Sequence, residues 1–227
     1  MPTDVMIVGD SHTRALQAGC QAAGLNSEIL TFSGTAWFEA DVQYRPQTGL
    51  HSPRRKWVAD ASGKLGARVG TPNPFKSGVP VLLSCMNLGR MLGSFRWKGH
   101  QYARDLTPGE ADLPVSRAAL EAYVEHQAES SLSLIRALTA DGAHVVVVAP
   151  PNFTGLHQAQ LATATFAQAV RALDVACFNP WEHQEPGAMT LPKAYVHEDR
   201  RHGNDAYGRW VIDLLVDTGL LPVRQPS

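Results

Sequence analysis

Short apolar runs separated by helical stretches are the feature that most constrains the fold of this chain. Five such runs occur, at 5–8, 28–32, 79–84, 145–148 and 175–178, and the fourth is four valines in a row. Stretches of helical composition lie between or after them, at 14–23, 116–140, 161–173 and 204–215. Strands that are apolar throughout are typical of parallel sheets buried on both faces. The alternation therefore predicts an α/β fold with right-handed crossovers and helices on both faces of a parallel sheet.

Two segments interrupt the alternation. Residues 41–77 are polar and rich in proline, glycine and arginine, and residues 90–114 are similar, with aromatic residues among basic ones. A chain of 227 residues is within the size of one domain. Long insertions in a compact domain are usually functional loops. We expect a single domain over 1–227, with irregular insertions at 41–77 and 90–114 that extend over the functional edge of the sheet.

Composition and charge exclude several classes of protein. Apolar residues make up 44% of the chain, and 20 basic against 21 acidic residues give a net charge of -1. This balance predicts neither a nucleic-acid nor an anionic-membrane partner. Cys20, Cys85 and Cys177 lie far apart in apolar contexts, which predicts buried free thiols. We expect a soluble cytoplasmic protein, because no signal peptide and no run of membrane-spanning length is visible.

A candidate nucleophile directly follows the first apolar run. The sequence there is Gly9-Asp10-Ser11-His12-Thr13, and a helical stretch comes next. Ligands of α/β sheets bind beyond the carboxyl ends of the strands, and a helix N-terminus offers unpaired N–H groups to developing negative charge. A turn or helix-capping serine is the alternative interpretation of Ser11.

An acid and a histidine three residues apart lie near the other end of the chain. Asp199 could hold the imidazole of His202 while the other ring nitrogen faces Ser11, and these are the parts of a nucleophilic hydrolase. A surface turn is the alternative. Donors for an oxyanion are predicted at the Ser11 N–H, the Gly34 N–H and the Asn87 side-chain amide, since each follows an apparent strand. Taken singly, Gly34 could be a turn glycine and Asn87 a loop amide.

In this order the residues resemble the SGNH hydrolase superfamily, also called GDSL esterases and lipases. Gly9-Asp10-Ser11 matches its first block, Gly34 its second, Asn87 its third, and Asp199 with His202 its fifth. The third block departs from the usual Gly-x-Asn-Asp, because Cys85-Met86-Asn87-Leu88 stands there. The first block continues with His12, which is similar to SGNH domains attached to sugar O-acyltransferases and to some carbohydrate esterases.

The resemblance implies a three-layer α/β/α sandwich with a central, mostly parallel sheet of about five strands, as in flavodoxin-like folds. It implies that Ser11 is the nucleophile, His202 the base and Asp199 its partner, with an oxyanion hole of Ser11, Gly34 and Asn87. Asp10 is then a turn-forming residue, and His12 is not the base.

The activity implied by the resemblance is hydrolysis of a carboxylic ester, either a small molecule or an O-acetylated carbohydrate, without metal or organic cofactor. Two alternatives remain open. One is an O-acyltransferase that uses the same site, and the other is a non-catalytic glycan-binding module on a degenerate hydrolase fold.

Three further patterns bear on binding. His197-Glu198 and His202 are spaced one residue too widely for the two histidines of a zinc helix, so no metal site is predicted. Arg54-Arg55-Lys56 beside Trp57 could bind a phosphate or an acidic sugar, or form a solvated loop, and the sequence favours the loop. Aromatic residues of the two insertions could stack on a sugar ring or anchor the loops: Trp37, Phe95, Trp97 and Tyr102.

Overall fold

The computed structural model describes residues 2–34, 37, 41–84, 99–109, 112–151, 153, 155–200 and 202–223. In chain order its strands are β1 Val5–Gly9, β2 Ser27–Thr31, β3 Gln43–Arg45, β4 Gly49–His51, β5 Val81–Ser84, β6 His100–Tyr102, β7 Leu113–Val115, β8 Val145–Val148 and β9 Ala176–Phe178. Its helices with described bounds are α1 Thr13–Ala22, α2 Lys56–Val69, α3 Arg117–Ala140, α4 His157–Arg171 and α5 Asp205–Asp217. None of the helices in these ranges is both long and apolar enough to cross a membrane.

The five predicted strands form one sheet in the order β2-β1-β5-β8-β9, and every neighbouring pair is parallel. The α/β sandwich predicted from the sequence is therefore confirmed. In this sheet, β2 lies on one side of β1, and β5, β8 and β9 lie on the other side. The order reverses between β1 and β5, and a reversal of this kind opens a crevice at the carboxyl ends of the two strands.

The side chains of the sheet alternate between two cores, one on each face. Met6 and Val8 of β1 face the core that α2, α3 and α4 cover, whereas Val5 and Ile7 face the core that α1 and α5 cover. Cys20 and Cys177 are buried free thiols, as predicted, while Cys85 lies outside the described residues. Burial raises the pKa of both described thiols to about 12.

The prediction of an irregular segment at 41–77 was wrong. An antiparallel hairpin of β3 and β4 is followed by α2, which has 14 residues and ends at Gly70 with a φ of 78°. A helix is needed here because β2 and β5 lie on either side of β1 in a parallel sheet, which requires a crossover. The sequence of α2 shows no clear helical period of apolar residues, because two of its four buried positions are Ser62 and Gly66.

The second insertion, predicted to be irregular over 90–114, also contains regular structure. β6 and β7 pair in parallel, and Asp105 follows β6. The carboxylate of Asp105 accepts hydrogen bonds from the backbone N–H groups of His157 and Gln158, both at 2.7 Å. Asp105 thus satisfies two of the free donors at the start of α4, the nearer of them 52 residues away along the chain.

Two glycines let α1 and α5 cross closely on one face of the sheet. A Cβ at Gly208 would lie 1.7 Å from the carbonyl oxygen of Ala15, and one at Gly19 would lie 2.3 Å from the carbonyl oxygen of Gly208. Only glycine permits this approach of the two backbones. The crossing brings the first turn of α5, and the loop before it, next to the start of α1.

Candidate active site

Ser11 lies in the turn between β1 and α1, at the carboxyl edge of the sheet, and its side chain is exposed. Asp10 forms this turn, as predicted, because its Oδ1 accepts the N–H of His12 at 3.0 Å and its own N–H donates to the carbonyl of Ser84 at 3.4 Å. The hydroxyl of Thr13 donates to the carbonyl of Asp10 at 2.9 Å. α1 begins at Thr13, so Ser11 is not its N-cap. Ser11 is thus held by the backbone of the turn, with its hydroxyl free of a capping role.

Asp199 and His202 lie in a small loop that a β-bridge closes. Val196 and Gly203 pair in an antiparallel bridge, and the N–H of His197 donates to the carbonyl of His202 at 2.9 Å. Arg200, between the acid and the histidine, has a φ of 58°, in the left-handed region. This tight turn, rather than a helical spacing, brings the two side chains together.

The structure brings Ser11, His202 and Asp199 into one chain of contacts. Ser11 Oγ lies 2.6 Å from His202 Nε2, and His202 Nδ1 lies 2.6 Å from Asp199 Oδ2. Asp199 Oδ1 accepts the backbone N–H of His202 at 3.0 Å. Both carboxylate oxygens of Asp199 therefore contact the same residue, which fixes the ring of His202 as well as its backbone. The side chains of His202 and Asp199 are 32% and 40% exposed.

Two of the three predicted oxyanion donors are within the described residues. The N–H of Phe32 donates to the carbonyl of Gly9 at 2.9 Å, so Gly34 leaves the sheet at the same edge as Ser11. In the described part of the chain, neither the N–H of Ser11 nor that of Gly34 has a hydrogen-bond acceptor. Asn87 lies outside the described residues.

His12 contacts the ring of His202, a feature that the sequence alone did not indicate. The two ring centroids are 4.9 Å apart, with the planes tilted by 53°. Burial lowers the pKa of His12; the carboxylate of Asp10 opposes this, His202 lowers the pKa further, and Asp199 opposes it. His12 therefore favours the neutral form beside His202.

His197 is a second neighbour of the site that sequence reasoning passed over. Its Nδ1 accepts the N–H of Asp199 at 3.3 Å and lies 3.4 Å from Asp199 Oδ2. The only signal in the sequence was its position two residues before the acid. Across the described ranges, no three His, Cys, Asp or Glu side chains are grouped so that they could hold a metal ion.

An aromatic group lies where β2 leaves the sheet. Phe32 contacts Trp37, with ring centroids 5.1 Å apart, and meets Trp57 edge-on at 4.9 Å. Trp37 is buried, whereas Trp57 is 41% exposed. Tyr102 is buried and anchors its insertion, while Phe95 and Trp97 lie outside the described residues.

Comparison with known proteins supports the fold. No protein-family model matches this sequence, and no curated protein is similar to it in sequence. Among solved structures, a protein from Streptococcus pneumoniae described as a platelet activating factor is 12% identical, with a TM-score of 0.50 over 96% of this chain and 84% of its own. A protein from Bacteroides fragilis described as an acylhydrolase is 11% identical, with a TM-score of 0.50 over 97% of this chain and 89% of its own. At these identities the likeness establishes a common three-layer fold.

Proposed function

We propose that this protein is a serine hydrolase of the SGNH type that cleaves a carboxylic ester through an acyl-enzyme. The observation that carries the proposal is the continuous chain from Ser11 Oγ to His202 Nε2 and from His202 Nδ1 to Asp199 Oδ2, with 2.6 Å at each contact. A nucleophile, a base and an orienting acid in contact are the signature of this chemistry. The fold shared with the acylhydrolase from Bacteroides fragilis supports the same class.

Acylation begins when Ser11 Oγ attacks the carbonyl carbon of the ester and its proton passes to His202 Nε2. The Nδ1–H of His202 donates to Asp199 Oδ2, which stabilises the imidazolium that forms. The tetrahedral intermediate then collapses: the bond from carbon to the alcohol oxygen breaks, and His202 Nε2–H protonates that oxygen. The alcohol leaves, and the acyl group stays on Ser11.

Deacylation repeats these steps with water. His202 removes a proton from the water as it attacks the acyl carbon, and returns the proton to Ser11 Oγ when the acid leaves. In both halves the N–H groups of Ser11 and Gly34, together with the amide of Asn87, stabilise the oxyanion. One donor of this kind contributes about 3 kcal/mol to the transition state.

Water is the acceptor that the described surroundings of the site favour. Ser11 is exposed, and the side chains of His202 and Asp199 are each about a third exposed or more. An acyltransferase must keep water from its acyl-enzyme, which requires an enclosed site. We therefore place hydrolysis ahead of transfer to a sugar hydroxyl.

The test is hydrolysis of p-nitrophenyl acetate and of acetylated sugars by the parent protein and two variants. Ser11→Ala should abolish turnover above background, because the nucleophile is gone. Asp199→Asn should lower kcat by about 10³–10⁴-fold, since His202 then loses the acceptor of its Nδ1–H. Ser133→Ala, an exposed serine on α3, is the control and should leave the rate unchanged. Equal rates for Ser11→Ala and the parent protein would refute the nucleophile assignment.

A further inference from the structure

We propose that a cationic surface made of Arg54, Arg55, Lys56 and Trp57 binds the non-reacting part of the substrate, a sugar ring that carries an anionic group. The inference rests on the proposed ester hydrolysis and specifies its substrate class. All four side chains are exposed and consecutive in the sequence. The anionic group is a carboxylate or a phosphate, since arginine binds both through paired N–H groups.

The positive charge of this surface is not neutralised by the described acidic residues. No acidic side chain of the described residues forms an ion pair with Arg54, Arg55 or Lys56, although other exposed arginines, such as Arg68 and Arg171, have such partners. The backbone of the segment is nonetheless fixed, because the Oγ of Ser52 accepts the N–H groups of Arg54 and Arg55, each at 3.0 Å. The cations are therefore carried on an ordered turn.

The fold gives no reason for cations at this position. Lys56 is the first residue of α2, and the first turn of that helix has no acidic residue. Positive side chains at a helix N-terminus oppose the helix dipole and destabilise the helix. A bound anion would reverse this effect. The charge is accordingly better explained by a ligand than by helix stability.

Phe32 connects the surface with the strand end that precedes Ser11. Trp57 contacts the ring of Phe32, whose backbone is bonded to Gly9 at the end of β1. Gly34 lies two residues beyond Phe32, and Ser11 lies two residues beyond Gly9. In this proposal the N–H groups of Ser11 and Gly34 hold the carbonyl oxygen of the substrate. The exposed indole of Trp57 and the three cations then lie on the β2 side of that oxygen.

The first arm of the test measures binding without catalysis. Calorimetry on the Ser11→Ala protein compares three ligands: tri-galacturonic acid, glucose 6-phosphate and neutral xylotriose. We expect the carboxylated or the phosphorylated ligand to bind at least 10-fold more tightly than xylotriose, with an affinity that falls as salt rises. The ligand that binds shows whether the anionic group is a carboxylate or a phosphate. Equal or absent binding of all three ligands would overturn the inference.

The second arm removes the charge. The triple variant Arg54→Gln, Arg55→Gln, Lys56→Gln should lose the preference for the anionic ligand by at least 10-fold. The matched control Lys64→Gln, Arg136→Gln, Arg209→Gln removes the same net charge from other exposed positions and should keep the preference. A preference that survives in the first triple variant, or disappears equally in the control, would contradict the inference. Failure of the hydrolase proposal would appear separately, as p-nitrophenyl acetate turnover that does not depend on Ser11.

Discussion

Asp199 orients His202 by two contacts, one to the ring and one to the backbone. Because Oδ1 accepts the backbone N–H and Oδ2 contacts Nδ1, the ring has little freedom to turn away from Ser11. The left-handed φ of Arg200 is what folds the chain back between the acid and the histidine. One tight loop therefore fixes the positions of Asp199 and His202. A second turn, near the other end of the chain, fixes the position of Ser11.

His12 should make stability depend on pH. Its pKa is lowered by burial, so the unfolded chain binds a proton at this residue more readily than the folded protein does. The free energy of unfolding should therefore fall as the pH drops below about 6.5, and be unaffected by this residue above that value. His12→Phe removes the titrating group, so urea unfolding measured from pH 7.5 to 5.0 should show a shallower acid loss than in the parent protein.

The exposed His126 on α3 provides the control for this measurement. His126→Phe should retain the acid loss of the parent protein. If His12→Phe loses stability below pH 6.5 as steeply as the parent protein does, the assignment of a lowered pKa to His12 is wrong.

At the scale of elements, the contact between α1 and α5 is what joins the two ends of the chain. Gly208 lies in the first turn of α5 and touches the backbone of α1 at Ala15. Asn204 caps α5 by accepting the N–H of Tyr207 at 3.1 Å, and its own N–H donates to the carbonyl of Tyr195 at 3.0 Å. The loop that carries Asp199 and His202 is thus fixed to the same helix that crosses α1.

Gly208→Ala should separate these two helices. A Cβ 1.7 Å from a backbone oxygen cannot be accommodated by a side-chain movement, so we expect a loss of about 2–3 kcal/mol in the free energy of unfolding. Esterase activity should fall with it, because His202 moves away from Ser11. Urea unfolding and p-nitrophenyl acetate turnover measure the two effects.

Gly63 is the matched control, since it lies inside α2 and a Cβ there would meet nothing within 4 Å. Gly63→Ala should raise stability by about 0.5–1 kcal/mol, because alanine favours a helix over glycine. Equal behaviour of the two alanine variants would contradict the close crossing.

The elements that the sequence could predict are those whose buried side chains are apolar. The valines of β8 and the long apolar face of α3 were predicted from residue type alone, to within a residue of their bounds. α2 could not be predicted in the same way, because Ser62 and Gly66 occupy buried positions where an apolar period would need larger side chains. α4 begins at His157, earlier than its composition suggests, since its cap comes from Asp105, which local sequence cannot reveal.

The candidate site was predicted through a different kind of information. Ser11, Asp199 and His202 were singled out by residue type and position, and the resemblance to family blocks combined them. The structure adds the distances between them. The contacts of His12 and His197 with the site depend on how a turn and a bridged loop meet across the molecule. No local pattern encodes such a meeting.

At the scale of the whole molecule, the topology gathers the proposed chemistry at one edge. β1 and β5 lie side by side where the strand order reverses, and the turn with Ser11 leaves the sheet there. β2 leads into Gly34 at the same edge, and Trp57 at the start of α2 contacts Phe32 there. α5 packs on the same face of the sheet as α1 and follows the loop with His202. The fold thus assembles residues from positions 11 to 202 without any one segment carrying the site.

The central claim is that His202 activates Ser11 as a nucleophile, and covalent labelling tests it most directly. The protein is treated with a fluorophosphonate, and the modified residue is identified by mass spectrometry of the peptides. We predict one adduct, on Ser11, and we predict that His202→Ala reduces its rate of formation by at least 100-fold while leaving the fold intact by circular dichroism. Absence of an adduct on Ser11 in the folded parent protein, or equal labelling rates in the parent and His202→Ala proteins, would contradict the account.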